Sequence, residues 1–147
     1  MATKFSFFID TNLLVYAYDR SEPAKQVQAL EMLDHLIGIS VLSTQVLGEF
    51  FIVLTQKLKR PLSLETARER VENYILGWPV LPITPMIVQE AVRGVSEHRL
   101  NYWDAQIWAT ARLNQIPVVL SEDFSHRRLL EGVRFLNPFN QGFQLPA

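Results

Sequence analysis

Two acids close short apolar runs of this chain. Asp10 ends the run at residues 5–9 and leads into Thr11 and Asn12, while Asp123 follows the run at 117–120 after Ser121 and Glu122. Ligands of open α/β sheets bind just beyond the carboxyl ends of the strands, so if both runs are strands, both carboxylates stand on one rim. Glu49 is a third candidate. Its helical neighbours Val46, Ile52 and Val53 are apolar and only Gln45 is polar, which turns its carboxylate toward the sheet, where a lone charge is costly. Asp104 is a fourth, on the same helical stripe as Ile107, Trp108 and Ala111. Each acid also has a structural use open to it. Asp10 and Asp123 can cap helices that follow them, Glu49 can be satisfied by local donors, and Asp104, three residues after Asn101, fits a capping box in a first turn.

Taken together the four acids imply more than they do singly. If they converge at about 5 Å in an effective dielectric of ~20, each pair repels by roughly 3 kcal/mol, and the sum rivals a domain stability of about 5–15 kcal/mol. Either some are protonated or a divalent cation neutralises them, and hard oxygen donors with no cysteine select Mg²⁺ or Mn²⁺ over zinc. Such a site suits phosphodiester hydrolysis, because the cation acidifies a water and holds the phosphate oxygen on which charge accumulates. Thr11, Asn12 and Ser121 are the supporting residues, each with a plain turn or cap role as its alternative. His35, His98 and His126 have no mutual metal-ligand spacing, and no phosphate-cradling glycine loop is present.

The elements that must position these acids alternate along the chain. Strand-length apolar runs at 5–9, 39–42, 80–83, 117–120 and 134–136 are separated by segments of helical period, the rhythm of βαβ units and a mostly parallel sheet. The first and fourth runs should be the most buried. Residues 23–37 predict an amphipathic helix with Val27, Leu30, Leu33, Leu36 and Ile37 on its buried stripe and Ser21 as N-cap. Residues 46–58 read as a central helix, and 64–76, with Arg68, Glu69, Arg70 and Glu72, as a peripheral one. Thr84-Pro85 is a helix-start pair for a segment running to about His98, and Asn101 caps a last helix through Gln115 before Pro117 stops it.

At 147 residues with 48% apolar and 11% aromatic side chains, the chain is expected to form one globular domain over 1–147. A formal charge of −1 cannot draw in a polyanion by net field, so any nucleic-acid contact must come from a local patch. The lack of cysteine excludes thiol nucleophiles, disulfides and cysteine-ligated metals. No apolar run approaches a membrane span and no export pattern is present, so a soluble cytoplasmic protein is expected, with no membrane partner.

Four segments in this order, Phe8-Ile9-Asp10-Thr11-Asn12, Glu49 on a central helix, Tyr102-Trp103-Asp104-Ala105 and Leu120-Ser121-Glu122-Asp123-Phe124, resemble the PIN-domain ribonucleases, and most closely the VapC-type toxins. The likeness extends to the ending, from Gly132-Val133-Arg134 to Asn137-Pro138-Phe139. It implies a three-layer α/β/α sandwich with a mostly parallel central sheet. It also implies a Mg²⁺- or Mn²⁺-dependent endoribonuclease, a cognate antitoxin protein that blocks the acidic site, and a homodimer. Carried over position by position, the catalytic and metal-binding acids are Asp10, Glu49, Asp104 and Asp123. Gly48 before the glutamate and the extra acid Glu122 depart from the usual pattern and leave the number of metal ions open.

RNA also needs cations. Arg127 and Arg128, next to His126 and just after Asp123, are better placed as RNA contacts than Lys57, Lys59 and Arg60, although basic runs are commonly solvated surface. Trp103 and Phe124 flank two of the acids and can either stack on bases or line the wall. Tyr16, Tyr18 and the stretch 58–74 are candidates for a surface between two copies. Two other readings compete. A phosphatase resembling the haloacid dehalogenases would use Asp10 as nucleophile, but its Asp-x-Asp motif needs a proton donor where Asn12 stands. A non-catalytic PIN module would keep the fold for binding alone.

Overall fold

Three short parallel strands rich in Phe, Val, Leu and Ile build the centre of the molecule. In the computed structural model residues 5–146 are described, so residues 1–4 and 147, the ends of the domain read over 1–147, lie outside the described part. The strands β1 (Phe7–Ile9), β2 (Ser40–Ser43), β3 (Val80–Leu81), β4 (Val118–Leu120), β5 (Leu129–Leu130) and β6 (Val133–Leu136) form one sheet in the order β3-β2-β1-β4-β6-β5. All pairings are parallel except β5 with β6. Six α-helices flank it: α1 (Thr11–Tyr16), α2 (Pro23–Leu36), α3 (Thr44–Ile52), α4 (Leu64–Gly77), α5 (Pro85–His98) and α6 (Tyr102–Leu113). This is a three-layer α/β/α architecture in which the central strands are buried on both faces, as parallel strands require. Phe8, Ile9, Val119 and Leu120 are fully buried, so the first and fourth runs are indeed the innermost.

The sheet's direction of growth reverses between β1 and β4. The chain adds β2 and β3 on one side of β1, then crosses to build β4 and β6 on the other, and such a switch point leaves a crevice at the carboxyl ends of the two diverging strands. Asp10 and Ser121 are the first residues beyond β1 and β4, and the Asp10 amide still bonds the Leu120 carbonyl at 3.0 Å.

Several helix starts follow the sequence. Thr84 accepts from the Ile87 amide with Pro85 in the first turn, and Asn101 accepts from the Asp104 amide. Others differ. Ser21 is not the N-cap of α2: Glu22 holds that position without a side-chain bond, and the Ser21 amide and hydroxyl bond Asp19 instead. The buried stripe of α2 is Ala29, Leu33 and Leu36, whereas Val27, Leu30 and Ile37 are half exposed. The segment read as one helix over 46–58 begins earlier and divides at Ile52 into α3 and a π turn, Val53–Lys57, closed by the Leu58 amide on the Val53 carbonyl. Among the described residues no helix follows Asp123, so a capping role for that acid falls away. Among the described residues no helix is long and apolar enough to cross a membrane.

Candidate active site

Beyond β1 and β4 the backbone turns abruptly, and the side chains on these turns hold one another. Asp10 caps α1: one carboxylate oxygen accepts from the Thr11 amide at 2.7 Å, and the other accepts from the Ser121 hydroxyl at 2.7 Å. Ser121, fully buried, is the hub of this junction. Its oxygen also accepts from the Asp123 amide at 3.0 Å and from the Asn12 side-chain amide at 3.3 Å. Asn12 in turn donates to the Asp123 carboxylate at 3.3 Å and accepts from the Glu122 amide. Asp10, Asn12, Ser121 and Asp123 thus form one hydrogen-bonded unit across the switch point.

Glu49 reaches this unit from α3. Ser43 caps that helix through the Val46 amide, and Glu49 projects from its second turn. Its carboxylate accepts from the Thr11 hydroxyl at 3.0 Å and from Gln45, one turn earlier, at 2.8 Å. Asp104 lies in the first turn of α6, where Asn101 both caps its amide and donates to its carboxylate at 2.6 Å. The structural use of Asp104 is therefore real, and it also fixes the carboxylate's direction.

The electrostatics distinguish these acids. Asp10 is only 3% exposed, and burial pushes its carboxyl up to about 7 despite the hydrogen bonds from Ser121 and Thr11, with the charges of Asp123 and Glu49 adding to the rise. Partial burial raises Asp104 as well, opposed by Asn101 and reinforced by Asp123 and Glu49. Asp123 stands at the exposed rim, yet the protein on its inner side raises it, opposed by Asn12 and reinforced by Glu122 and Glu49. Asp10, Asp104 and Asp123 thus each feel the charge of Glu49, and Asp10 and Asp104 also feel that of Asp123. Among the described residues none of them has a lysine, arginine or histidine within ion-pair distance. Nor do any three of them gather oxygens within 4.8 Å, so spacing relieves part of the repulsion expected of a 5 Å cluster. The donor set is all hard oxygen with no counter-cation, which fits a divalent ion of the Mg²⁺ or Mn²⁺ kind.

One trio that the sequence did not suggest does lie within 4.8 Å: Glu97, His98 and Glu131. It sits before β6, at the amino end of the parallel strands and so across the sheet from the acids. Arg93 bonds Glu90, Glu97 and Glu131, and Arg112 bonds Glu90 at 2.5 Å. Arg93 and His98 hold the Glu131 carboxyl down at about 2. A cation there would have to displace guanidinium groups, so this is an ion-pair network that ties α5 and α6 to the turn before β6.

The remaining candidates divide. Phe124 is wall: it is buried and stacked on Phe135 at 3.9 Å. Trp103 is 61% exposed. Arg127 and Arg128 lie on the loop from Asp123 to β5, Arg127 exposed and in the left-handed backbone region at φ 71°. His126 accepts the Asn137 amide and is structural. Tyr16 and Tyr18 are packed within the chain, Tyr16 edge-on to Phe139 and Tyr18 against Phe50. Sequence reasoning missed the partners of Glu122. Tyr16 donates to its carboxylate at 2.6 Å and Lys25 pairs with it at 3.2 Å, so the extra acid is compensated and anchors the loop carrying Asp123.

The family profile described as PIN domain matches residues 7–131. No curated protein sequence matches the chain. Among solved structures, the sarcin-ricin loop cleaving toxin VapC20 of Mycobacterium tuberculosis superposes with a TM-score of 0.68 at 21% identity, over 88% of this chain and 99% of that one. A toxin–antitoxin complex from Klebsiella pneumoniae gives 0.69 at 18%, over 91% and 98%. DNA-bound VapBC from Salmonella typhimurium gives 0.66 at 17%, over 89% and 96%.

Proposed function

Because the chain belongs to the PIN domain family, we propose that it is a divalent-metal-dependent endoribonuclease acting as the toxin of a toxin–antitoxin pair. The observation that carries this reading is the set of acids at the switch point, Asp10, Asp104 and Asp123 around Glu49, whose charge each of the three feels, with no cationic partner among the described residues. These four would hold the Mg²⁺ or Mn²⁺ ion. When bound, the ion supplies neutralisation of the phosphate charge and acidification of water.

The rest of the work falls to the chain's own side chains. Ser121 fixes Asp10 on one side and the Asp123 amide on the other, so the two strand-end acids keep a set separation. Thr11 and Gln45 orient the two oxygens of Glu49. In the metal-free fold the buried Asp10 carboxyl is raised to about 7, so at neutral pH it would give up a proton on taking up a cation and be held ionised as a ligand. Arg127 and Arg128, downstream of Asp123, supply positive charge for the RNA backbone, which affinity for a polyanion requires.

Membership in the PIN family removes the phosphatase alternative. Asn12 is also committed elsewhere, donating to Ser121 and Asp123 and accepting from Glu122. The solved relatives include toxin–antitoxin complexes, which supports an antitoxin protein as a partner of this chain; pairing with a second copy and a cytoplasmic setting belong to the same proposal. The test is incubation of single-stranded and looped RNA with Mn²⁺ or Mg²⁺, beside the same mixture with EDTA. Internal cuts that need the metal bear the proposal out. An intact RNA under every metal condition, with Mn²⁺ bound or not, would leave a non-catalytic PIN module.

A further inference from the structure

Trp103 is an anomaly of placement: it is 61% exposed, whereas Trp108 is fully buried. Its ring makes a T-shaped contact with Tyr102 at 5.1 Å and 82°, which favours this orientation while leaving the ring surface bare. It also borders the acids. Asp104 follows it directly, and its carbonyl accepts from the side chain of Gln45, the same amide that donates to Glu49. Trp103, Gln45, Glu49, Ile52, Lys57 and Gln106 line a cleft of about 690 Å³. The π turn carries Lys57 to this cleft, and Lys57 has no ion-pair partner among the described residues. Gly48 belongs to the same wall, and a Cβ built on it meets nothing within 4 Å. Packing therefore does not demand a glycine there, and Gly48 lines both this cleft and the apolar groove of Leu47, Phe51, Val71 and Ile75 beside it.

We propose that this cleft is a subsite for an unpaired nucleobase of the RNA beside the bond that is cut. Trp103 is its stacking platform, Lys57 its phosphate contact, and Gly48 the residue that keeps it open. The inference rests on the ribonuclease reading and deepens it. Every base offers a π-face, so an exposed, oriented indole is a sequence-tolerant platform. The cleft runs from that platform to Glu49, which joins it to the acids, and the lysine supplies the charge that a nucleotide brings a need for. An exposed aromatic plane, a free cation and continuity with the acid site together favour a nucleotide over a peptide.

The experiment uses the full chain carrying Asp10→Asn, which removes cutting, and a fluorescein-labelled short single-stranded RNA followed by anisotropy. Trp103→Ala should weaken binding about 5- to 100-fold, the range of one lost base–aromatic stack, while Trp103→Phe keeps most of the affinity. Gly48→Leu keeps all four acids and improves helix propensity, so it should fold with an undiminished Tm and bind RNA as poorly as Trp103→Ala. Lys57→Gln should reduce the dependence of log Kd on log salt by about 0.7. Unchanged RNA affinity in both Trp103→Ala and Gly48→Leu overturns the proposal. The two readings fail separately: a chain without Asp10→Asn that cuts no RNA removes the enzyme, whereas normal cutting and binding by Trp103→Ala removes only the subsite.

Discussion

The metal-free protein should gain stability at neutral pH when Asp10 loses its charge. A carboxyl that rises from its ordinary 3.8 in the unfolded chain to about 7 in the fold is favoured there only while protonated. Its contribution is thus intact below the unfolded value and is lost as pH climbs toward the folded one, at about 1.4 kcal/mol per pH unit. Above pH 7 the accumulated penalty is about 4 kcal/mol. Asp10→Asn keeps an oxygen to accept from the Thr11 amide but turns its NH₂ toward Ser121, whose hydroxyl oxygen already accepts from Asp123 and Asn12. Losing that one hydrogen bond costs about 1 kcal/mol. The variant should therefore be more stable than the parent by about 3 kcal/mol at pH 8, and less stable by about 1 kcal/mol below pH 4, with a crossing between. For a domain of this size the gain at pH 8 corresponds to a Tm higher by roughly 6–12 °C. Melting curves in EDTA across that range read it directly. A difference in Tm that does not change with pH, or a parent more stable at pH 8, would refute the electrostatic argument.

Mn²⁺ should raise the Tm of the parent, since an ion that binds only the fold adds about 2.7 kcal/mol at a hundredfold excess over Kd. The rise should be larger at neutral than at mildly acidic pH, where protons compete for the acids, and equal curves with and without saturating Mn²⁺ would contradict this. Glu49→Gln should leave the metal-free Tm unchanged or higher while lowering Mn²⁺ affinity, because the amide oxygen still accepts from Thr11, and removing the charge that raises Asp10, Asp104 and Asp123 offsets the lost bond from Gln45. Calorimetric titration of Mn²⁺ checks this, and unchanged Mn²⁺ affinity would exclude Glu49 from the metal set. Glu131, held down at about 2, contributes stability above its unfolded value that is lost as pH falls toward 2. Its side chain is 31% exposed, so Glu131→Gln should cost about 1 kcal/mol at pH 7 and nothing near pH 2.

The two innermost strands were readable, because strands buried on both faces are apolar and the runs expected to be most buried, ending at Ile9 and Leu120, are the central pair. The order of the other strands is seen only in the fold. Turn chemistry was readable at Thr84-Pro85 and Asn101. Alternation of apolar residues says less about a helix covered on one side only, and α2 turned Ala29 inward in place of Val27 and Leu30. Helix α1 was hidden because Leu13, Leu14 and Val15 continue an apolar run, and its start depends on the Asp10 cap. Strand β5 is two residues long and exists by pairing with β6. Residue type and position picked out the acids, but the hub at Ser121 was not visible, because its bonds join residues 111 positions apart. The exposure of Trp103 and the burial of Phe124 could not be told apart from sequence, since both aromatics flank an acid.

The most direct test is single-turnover cleavage of an end-labelled RNA in Mn²⁺ by the parent chain and by Asp10→Asn, Glu49→Gln, Asp104→Asn and Asp123→Asn, with Tm recorded for each. If the four carboxylates form one metal-dependent cutting site, the parent cleaves and each variant, folded and no less stable at neutral pH, does not. Cleavage by the parent in EDTA, or undiminished cleavage by Asp10→Asn, would contradict it.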